Sequence, residues 1–340
     1  MNATYKDAGV DIDAGAIFAQ MIKERVADHW PDAKIGGFSG AFKIPQNTSF
    51  ASASADGDGT KPDLARRVGK LDVVGVGVVA MAAVDGYVDG FLPAAFCDYM
   101  VVKHLVPDVH ITLIDGLIQG CLCAGCRLVG GETAEHPGTG LPDGYVDVGG
   151  FCVGFMNVGI SLDPTRDIQP GMTIWGWKSH GLGSNGYSLA RKVLRLRDDR
   201  PSRIQQRLER HHESLGCTLA DALLVPTAIY IQDVEEVRKK GVRFYGHAHI
   251  TGGGMVDNIP RCLPGNCVAL IETGTWNVPP IFSMIGKNGN VELAEMRRVF
   301  NMGIQMISVT SSVVEIKHPD CVRIGEIIPR HGNEHQVQFI

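Results

Sequence analysis

Long apolar runs are scarce in this 340-residue chain. The longest, VVGVGVVAMAAV at 73–84, is bracketed by Asp72 and Asp85 and is too short to cross a bilayer. Positive charge is also in short supply. Lys and Arg number 32 against 37 Asp and Glu, a net charge of −5, which argues against nucleic acid or a membrane surface as partner. The opening MNATYKDAG has no basic segment leading into an apolar one, so no secretory leader is expected. The nine cysteines are odd in number and scattered, which fits reduced thiols in the cytoplasm rather than a disulfide framework. Cys121, Cys123 and Cys126 in GCLCAGC lack a fourth ligand and a second paired knuckle for zinc. Val109, Leu113, Leu117 and Cys121 recur at helical spacing, so 109–126 reads as an amphipathic helix carrying packed thiols.

What is abundant is glycine, 42 residues without a fixed period, which implies many tight turns and close backbone approaches. The length suits two domains, 1–161 and 162–340, joined through the Pro- and charge-bearing SLDPTRDIQPGM at 161–172. In the first half a helix is expected from the N-cap Asp13, with Ile17, Met21, Ile22 and Val26 on one side. The run 73–83 reads as a buried segment, too hydrophobic for a solvent-facing sheet, and 145–159 reads as a strand. In the second half TIWGWKS reads as a strand and GYSLARKVLRLR as a helix. VPTAIYIQDVEEVRKKG reads as a helix with Pro226 in its first turn and Gly241 past its end. A strand near 267–272 and a last strand pair near 304–309 and 336–340 follow. The irregular alternation predicts an α/β (mixed α+β) protein.

Four short motifs carry candidate chemistry. In SADGDGTKP, Asp56 and Asp58 flank glycines ahead of Lys61, a set suited to magnesium and phosphate, or equally to a solvated turn. GGET brings Glu132 into a glycine turn, as a ligand or as a helix cap. GSNGYS offers Ser184 and Asn185 before a basic helix. HITGGGM places Gly252, Gly253 and Gly254 after His249, where bare backbone amides can meet an anion, although a single histidine more often serves structure.

Taken in order, TYKDAGVDIDAG, GTK, LVGGETAEHPG, YVDVGGFCVG, SNGYSLARKVL, LLVPTAIY, HITGGGMVDNIPRCLP and FNMG strongly resemble the phosphoribosylformylglycinamidine cyclo-ligase (AIR synthetase) family over nearly the whole chain. The resemblance implies a two-domain PurM-like fold and a homodimer formed by pairing of the N-terminal sheets. It implies ATP and Mg2+ as cofactors and a small-molecule phosphoribosyl substrate. It implies that Lys6 closes over the nucleotide phosphates, and that Asp56, Gly57, Gly59, Thr60, Lys61 and Asp85 form the phosphate-and-magnesium wall. It places Asp98 and Glu132 on the same cleft, and Ser184, Asn185, His249 and Gly252 to Gly254 on the substrate side. Asp56, Asp58, Asp85 and Glu132 are the candidate metal ligands, and Lys6, Asp85 and His249 the candidate catalytic groups.

The chain departs from the family pattern at several of these places. Asp58 and Pro62 replace apolar residues, Gly77 stands where the family has an aspartate, Val84 where it has an asparagine, and Gly183 where it has a histidine. Asp56 and Asp58 would point the same way in an extended segment, so Asp58 is expected to share one ion with Asp56 in place of the carboxylate missing at Gly77. Three readings stay open at this point: a working cyclo-ligase with an altered metal site, an impaired or repurposed member that binds nucleotide or a partner, and another ATP-dependent phosphotransferase of the superfamily acting on a different small molecule, which the long substrate-side motifs disfavour.

Overall fold

The structure is a computed structural model that describes residues 4, 40–43, 50–137, 139–156, 167–197 and 199–340. The helix expected from Asp13, the residue Lys6 and the 161/162 boundary lie outside the described residues. The first part holds strands β1 (Gly40–Lys43), β2 (Phe50–Gly57), β3 (Leu92–Val102), β4 (Arg127–Glu135) and β5 (Val146–Met156), with helices α1 (Lys61–Arg67), α2 (Asp72–Val88) and α3 (Pro107–Ala124). Its strands form one sheet in the order β1-β2-β5-β3-β4, in which only β3 and β4 run parallel.

The second part holds strands β6 (Thr173–Lys178), β7 (His211–His212), β8 (Cys217–Thr218), β9 (Phe244–His249), β10 (Cys267–Ile271), β11 (Ile304–Thr310), β12 (Cys321–Pro329) and β13 (Val337–Phe339). Its helices are α4 (Tyr187–Val193), α5 (Pro201–Glu209), α6 (Leu219–Leu223), α7 (Ile231–Lys239), α8 (Gly254–Asn258), α9 (Pro280–Gly289) and α10 (Leu293–Val299). Six of the strands form a sheet in the order β13-β10-β12-β6-β11-β9, and β7 pairs with β8 apart from it. The mixed α/β class is as the sequence implies.

The buried run at 73–83 is a helix, not part of a sheet. It is apolar on nearly every side because α2 lies between the first sheet and α3, and a helix hydrophobic all round belongs in a core. Its contact with α3 is backbone-close. A Cβ on Gly75 would sit 2.2 Å from the Leu113 carbonyl oxygen, and one on Gly116 would sit 1.9 Å from that of Asp72. Larger residues would hold the helices apart.

The first sheet faces two ways. Along β3 the buried Phe96, Asp98, Met100 and Val102 look toward the helices, while on β5 Phe151, Val153 and Phe155 look away from them and are exposed.

In the second part the helix at α7 begins at Ile231, so Pro226 lies in the segment before it, and Gly241 follows its end with φ +94°. The strands at 304–310 and 337–339 exist but are not partners. β11 runs between β6 and β9, and β13 lies beside β10 at the opposite edge. β12 takes up part of the stretch between them in sequence, a strand not marked above although four of its nine residues are Val or Ile.

Candidate functional site

Asp56 closes the inward face of β2, and Asp85 sits one turn from the end of α2. Asp56 Oδ1 accepts from the Gly57 amide at 2.7 Å. Burial first, and then the nearby Asp85 carboxylate, push the Asp56 carboxyl up to about 6. Asp85 Oδ1 lies 2.8 Å from Nδ1 of His249, the last residue of β9, so this contact joins the two parts of the molecule. The imidazole is wholly buried, and its Nε2 lies 3.3 Å from Gln305 Nε2 on β11. The Ser179 hydroxyl donates to the Gly181 carbonyl at 2.7 Å and lies 3.3 Å from Gln305 Oε1, and the Gln305 amide nitrogen, which can only donate, faces the ring. The ring then donates from Nδ1 to Asp85 and accepts at Nε2, so both nitrogens are occupied by protein.

A second charged group lies next to this one but is sealed off. Asp58 and Lys61 are both fully buried, with Nζ 3.3 Å from Oδ2. Lys61 Nζ also reaches the Val73 carbonyl and Thr227 Oγ1, each at 3.4 Å, and Thr227 Oγ1 is 2.8 Å from Ser184 Oγ. Burial raises the Asp58 carboxyl to about 6 against the opposing pull of Lys61. The expected sharing of one ion by Asp56 and Asp58 is therefore not what the structure places there. β2 ends at Gly57, so the alternation that would align the two carboxylates stops before Asp58, and Asp58 turns inward to Lys61. Ser184 and Lys61, expected at open phosphate and substrate walls, are interior parts of this network.

The remaining expected residues are dispersed. Asn185 borders Gly252, whose Cβ would lie 3.9 Å from Asn185 Nδ2, and Asn258 Nδ2 donates to the carbonyls of Gly252 and Gly254 to hold the turn. Gly253 has φ +97°, and a Cβ on Gly254 would fall 1.9 Å from the Arg297 carbonyl oxygen, so these two glycines are demanded by the backbone. Asp98 lies on the inner face of β3, its carboxyl raised by burial, with Oδ1 over Gly131. Glu132 is not in a turn. It is exposed in the middle of the edge strand β4, because GGET continues that strand. Gly59 and Thr60 line a cavity of about 450 Å³ together with several arginines. Among the described residues no cluster of three or more His, Cys, Asp or Glu is placed to hold a metal ion.

All nine cysteines are free. His180, three residues before Gly183, is exposed and lies 3.3 Å from Asp320. Gln305 carries no motif that would have singled it out, and Thr227 lies within LLVPTAIY without having been marked as a site residue. Both sit in ordinary apolar or loop stretches and become site residues only through tertiary contact.

Residues 39–156 match the family model described as AIR synthase related protein, N-terminal domain, and residues 169–338 match that of the C-terminal domain. The chain belongs to the AIR synthase related protein family. The phosphoribosylformylglycinamidine cyclo-ligase of Syntrophotalea carbinolica is 43% identical over 314 residues, covering 90% of this chain and 87% of that one. The chloroplastic enzyme of the same name from Arabidopsis thaliana is 40% identical over 341 residues, covering 98% and 83%. Among solved structures, AaThiL complexed with AMPPCP and TMP superposes with a TM-score of 0.61 at 14% identity, covering 94% and 92%, a likeness of fold.

Proposed function

We propose that this protein is an ATP-dependent cyclo-ligase that closes formylglycinamidine ribonucleotide to 5-aminoimidazole ribonucleotide in purine biosynthesis. The observation that carries this reading is identity near 40% to cyclo-ligases along almost the full chain. The chemistry asks for phosphoryl transfer to the formyl amide oxygen, which makes that oxygen a leaving group. Attack by the amidine nitrogen on the same carbon then closes the ring and expels phosphate. ATP use is supported by the nucleotide analogue bound to a protein of the same fold.

Asp56 and Asp85 fit magnesium. Two hard oxygen donors, of which Asp56 is raised by burial and then by its neighbour Asp85 when no cation is present, suit an ion that takes one or two carboxylates and completes its shell with water and phosphate oxygens. When bound, magnesium would neutralise charge on the transferred phosphoryl group. His249 and Gln305 hold Asp85 in place, and the Asn185–Gly252 border forms the substrate side. Lys6 is proposed to cover the phosphates. The outward apolar face of β5 and β3 supports pairing with a second copy, and the free thiols support the cytoplasm as the compartment.

The burial of Lys61 favours a second reading, an impaired member that keeps the fold and binds nucleotide without turnover. A ring-closure assay with the amidine substrate, ATP and magnesium separates the two. Formation of the aminoimidazole ribonucleotide is expected; ATP binding with no product would establish the second reading instead.

A further inference from the structure

Three guanidinium groups converge on one carboxylate beside the Gly59–Thr60 turn. Arg66 and Arg67 of α1 reach Asp63 Oδ1 at 2.7 and 3.2 Å, and Arg191 of α4 reaches Asp63 Oδ2 at 2.6 Å. Burial of Asp63 works against its charge, but Arg191, Arg67 and Arg66 together hold its carboxyl below the usual range. These residues wall the cavity of about 450 Å³, with the Tyr145 ring as a further wall and Asp147 the only other acid among the described residues. Three cations against two anions leave the wall net positive. Each guanidinium has five N–H groups and a carboxylate accepts about four hydrogen bonds, so donors outnumber the acceptors present.

Two polar atoms of this wall are buried without a partner among the described residues: the Thr60 hydroxyl and Arg67 Nε. Thr60 occupies the N-cap position of α1 yet makes no capping hydrogen bond with its side chain. A buried group left unpaired costs about 1–3 kcal/mol, and such a group calls for an acceptor that arrives from outside. The cavity volume lies within the roughly 300–1,000 Å³ of small-ligand pockets.

We infer that this cavity is a binding site for a phosphoryl group, carried into it on the ribosyl substrate as a phosphomonoester. Planar guanidinium forks match phosphate oxygens two at a time, and the Thr60 hydroxyl supplies a further donor. Asp63 acts as a positioning residue that keeps three like charges in one place. Because Arg191 comes from the second part of the molecule and Asp63 from the first, the pocket is complete only when the two are docked. The inference rests on the ring-closure reading for the ribosyl carrier, not for the phosphate chemistry.

The test is titration calorimetry of the full chain with ribose 5-phosphate and, separately, with ATP, neither of which requires turnover. Thr60→Val removes a hydroxyl that bonds nothing among the described residues, so it should fold normally; Arg67→Gln removes one charge of three. Ribose 5-phosphate affinity should fall about tenfold in Arg67→Gln, with its ATP affinity unchanged, and severalfold in Thr60→Val, as expected for loss of charge-assisted and neutral donors. A fall confined to ATP would keep the phosphoryl site and assign it to the nucleotide. Unchanged binding of both, or no binding of either by the parent protein, would make the arginine cluster a purely structural tie and overturn the proposal. Failure of ring closure in the assay would leave these titrations readable.

Discussion

The carboxylate of Asp58 stands in the space that a side chain on residue 77 would need: a Cβ on Gly77 would lie 2.5 Å from Asp58 Oδ2 and 2.7 Å from its Cγ. The chain thus keeps one acid in this pocket beside Lys61, delivered from the end of β2 instead of from α2. A carboxylate reaching in from either residue would meet the same buried ammonium.

The first prediction is a reciprocal exchange. Asp58→Val strands Lys61 without its counterion and should cost about 3–5 kcal/mol. Gly77→Asp alone puts two acids in one closed space and should cost several kcal/mol through overpacking and repulsion. Asp58→Val combined with Gly77→Asp should recover most of either loss in urea denaturation. Additive losses in the double variant would show that the two positions do not share one pocket.

The second prediction concerns pH. The Asp56 carboxyl rises from 3.8 unfolded to about 6 in the fold, so between those values the folded protein holds a proton that the unfolded chain has released. Stability from this group is therefore lost as pH climbs from about 4 to 6, by about 3 kcal/mol at most, and the loss is complete above 6. Asp58 adds a slope of the same sign, whereas the lowered Asp63 contributes the opposite one, so the comparison must be between variants. Without magnesium, Asp56→Asn should match the parent near pH 4 and melt higher near pH 7.5, while retaining the acceptor for the Gly57 amide. Magnesium with ATP should raise the melting midpoint of the parent and not of the variant. Equal midpoints at pH 7.5 would remove the argument for strain in the unliganded acid pair.

How much of this was legible in the sequence differs from element to element. The helix at α3 and the strand at β5 announce themselves by period, because each has one face in the core and one outside. α2 hides its nature: buried on all sides, it has no polar face to reveal a period of 3.6, and its valines read as readily as sheet. His249 was visible as a motif residue and Asp85 through the family resemblance, but the hydrogen bond between them joins positions 164 apart in sequence. Gln305 was invisible and Thr227, though inside LLVPTAIY, unmarked, since an amide or hydroxyl within an apolar strand or loop gains meaning only from what folds against it. The inward turn of Asp58 depended on where β2 stops, and a strand end is the least readable feature of a sequence.

The third prediction concerns the Gln305–His249–Asp85 chain. Gln305→Leu leaves the buried His249 Nε2 without its donor, and the ring is then free to reorient away from Asp85. Magnesium-dependent ATP affinity should weaken severalfold while the fold loses about 1–3 kcal/mol, the cost of an unpaired buried group. An unchanged affinity in Gln305→Leu would confine His249 to packing.

The last prediction concerns assembly. Phe151 and Phe155 of β5 are 51% and 46% exposed, and the exposed Leu92 and Tyr99 of β3 lie on the same outward face, Leu92 directly opposite Phe155 in register. An aromatic strip of this kind on the open side of a sheet is covered in most proteins, and a face pairing with its own copy about a twofold axis covers it twice over. Light scattering should therefore give twice the monomer mass at micromolar concentration. Phe151→Asp with Phe155→Asp would place four carboxylates across that twofold interface and should yield a monomer, with far-ultraviolet circular dichroism unchanged because neither side chain contributes to the core. A dimer that survives both substitutions would place the interface elsewhere, and a monomeric parent would remove the dimer altogether.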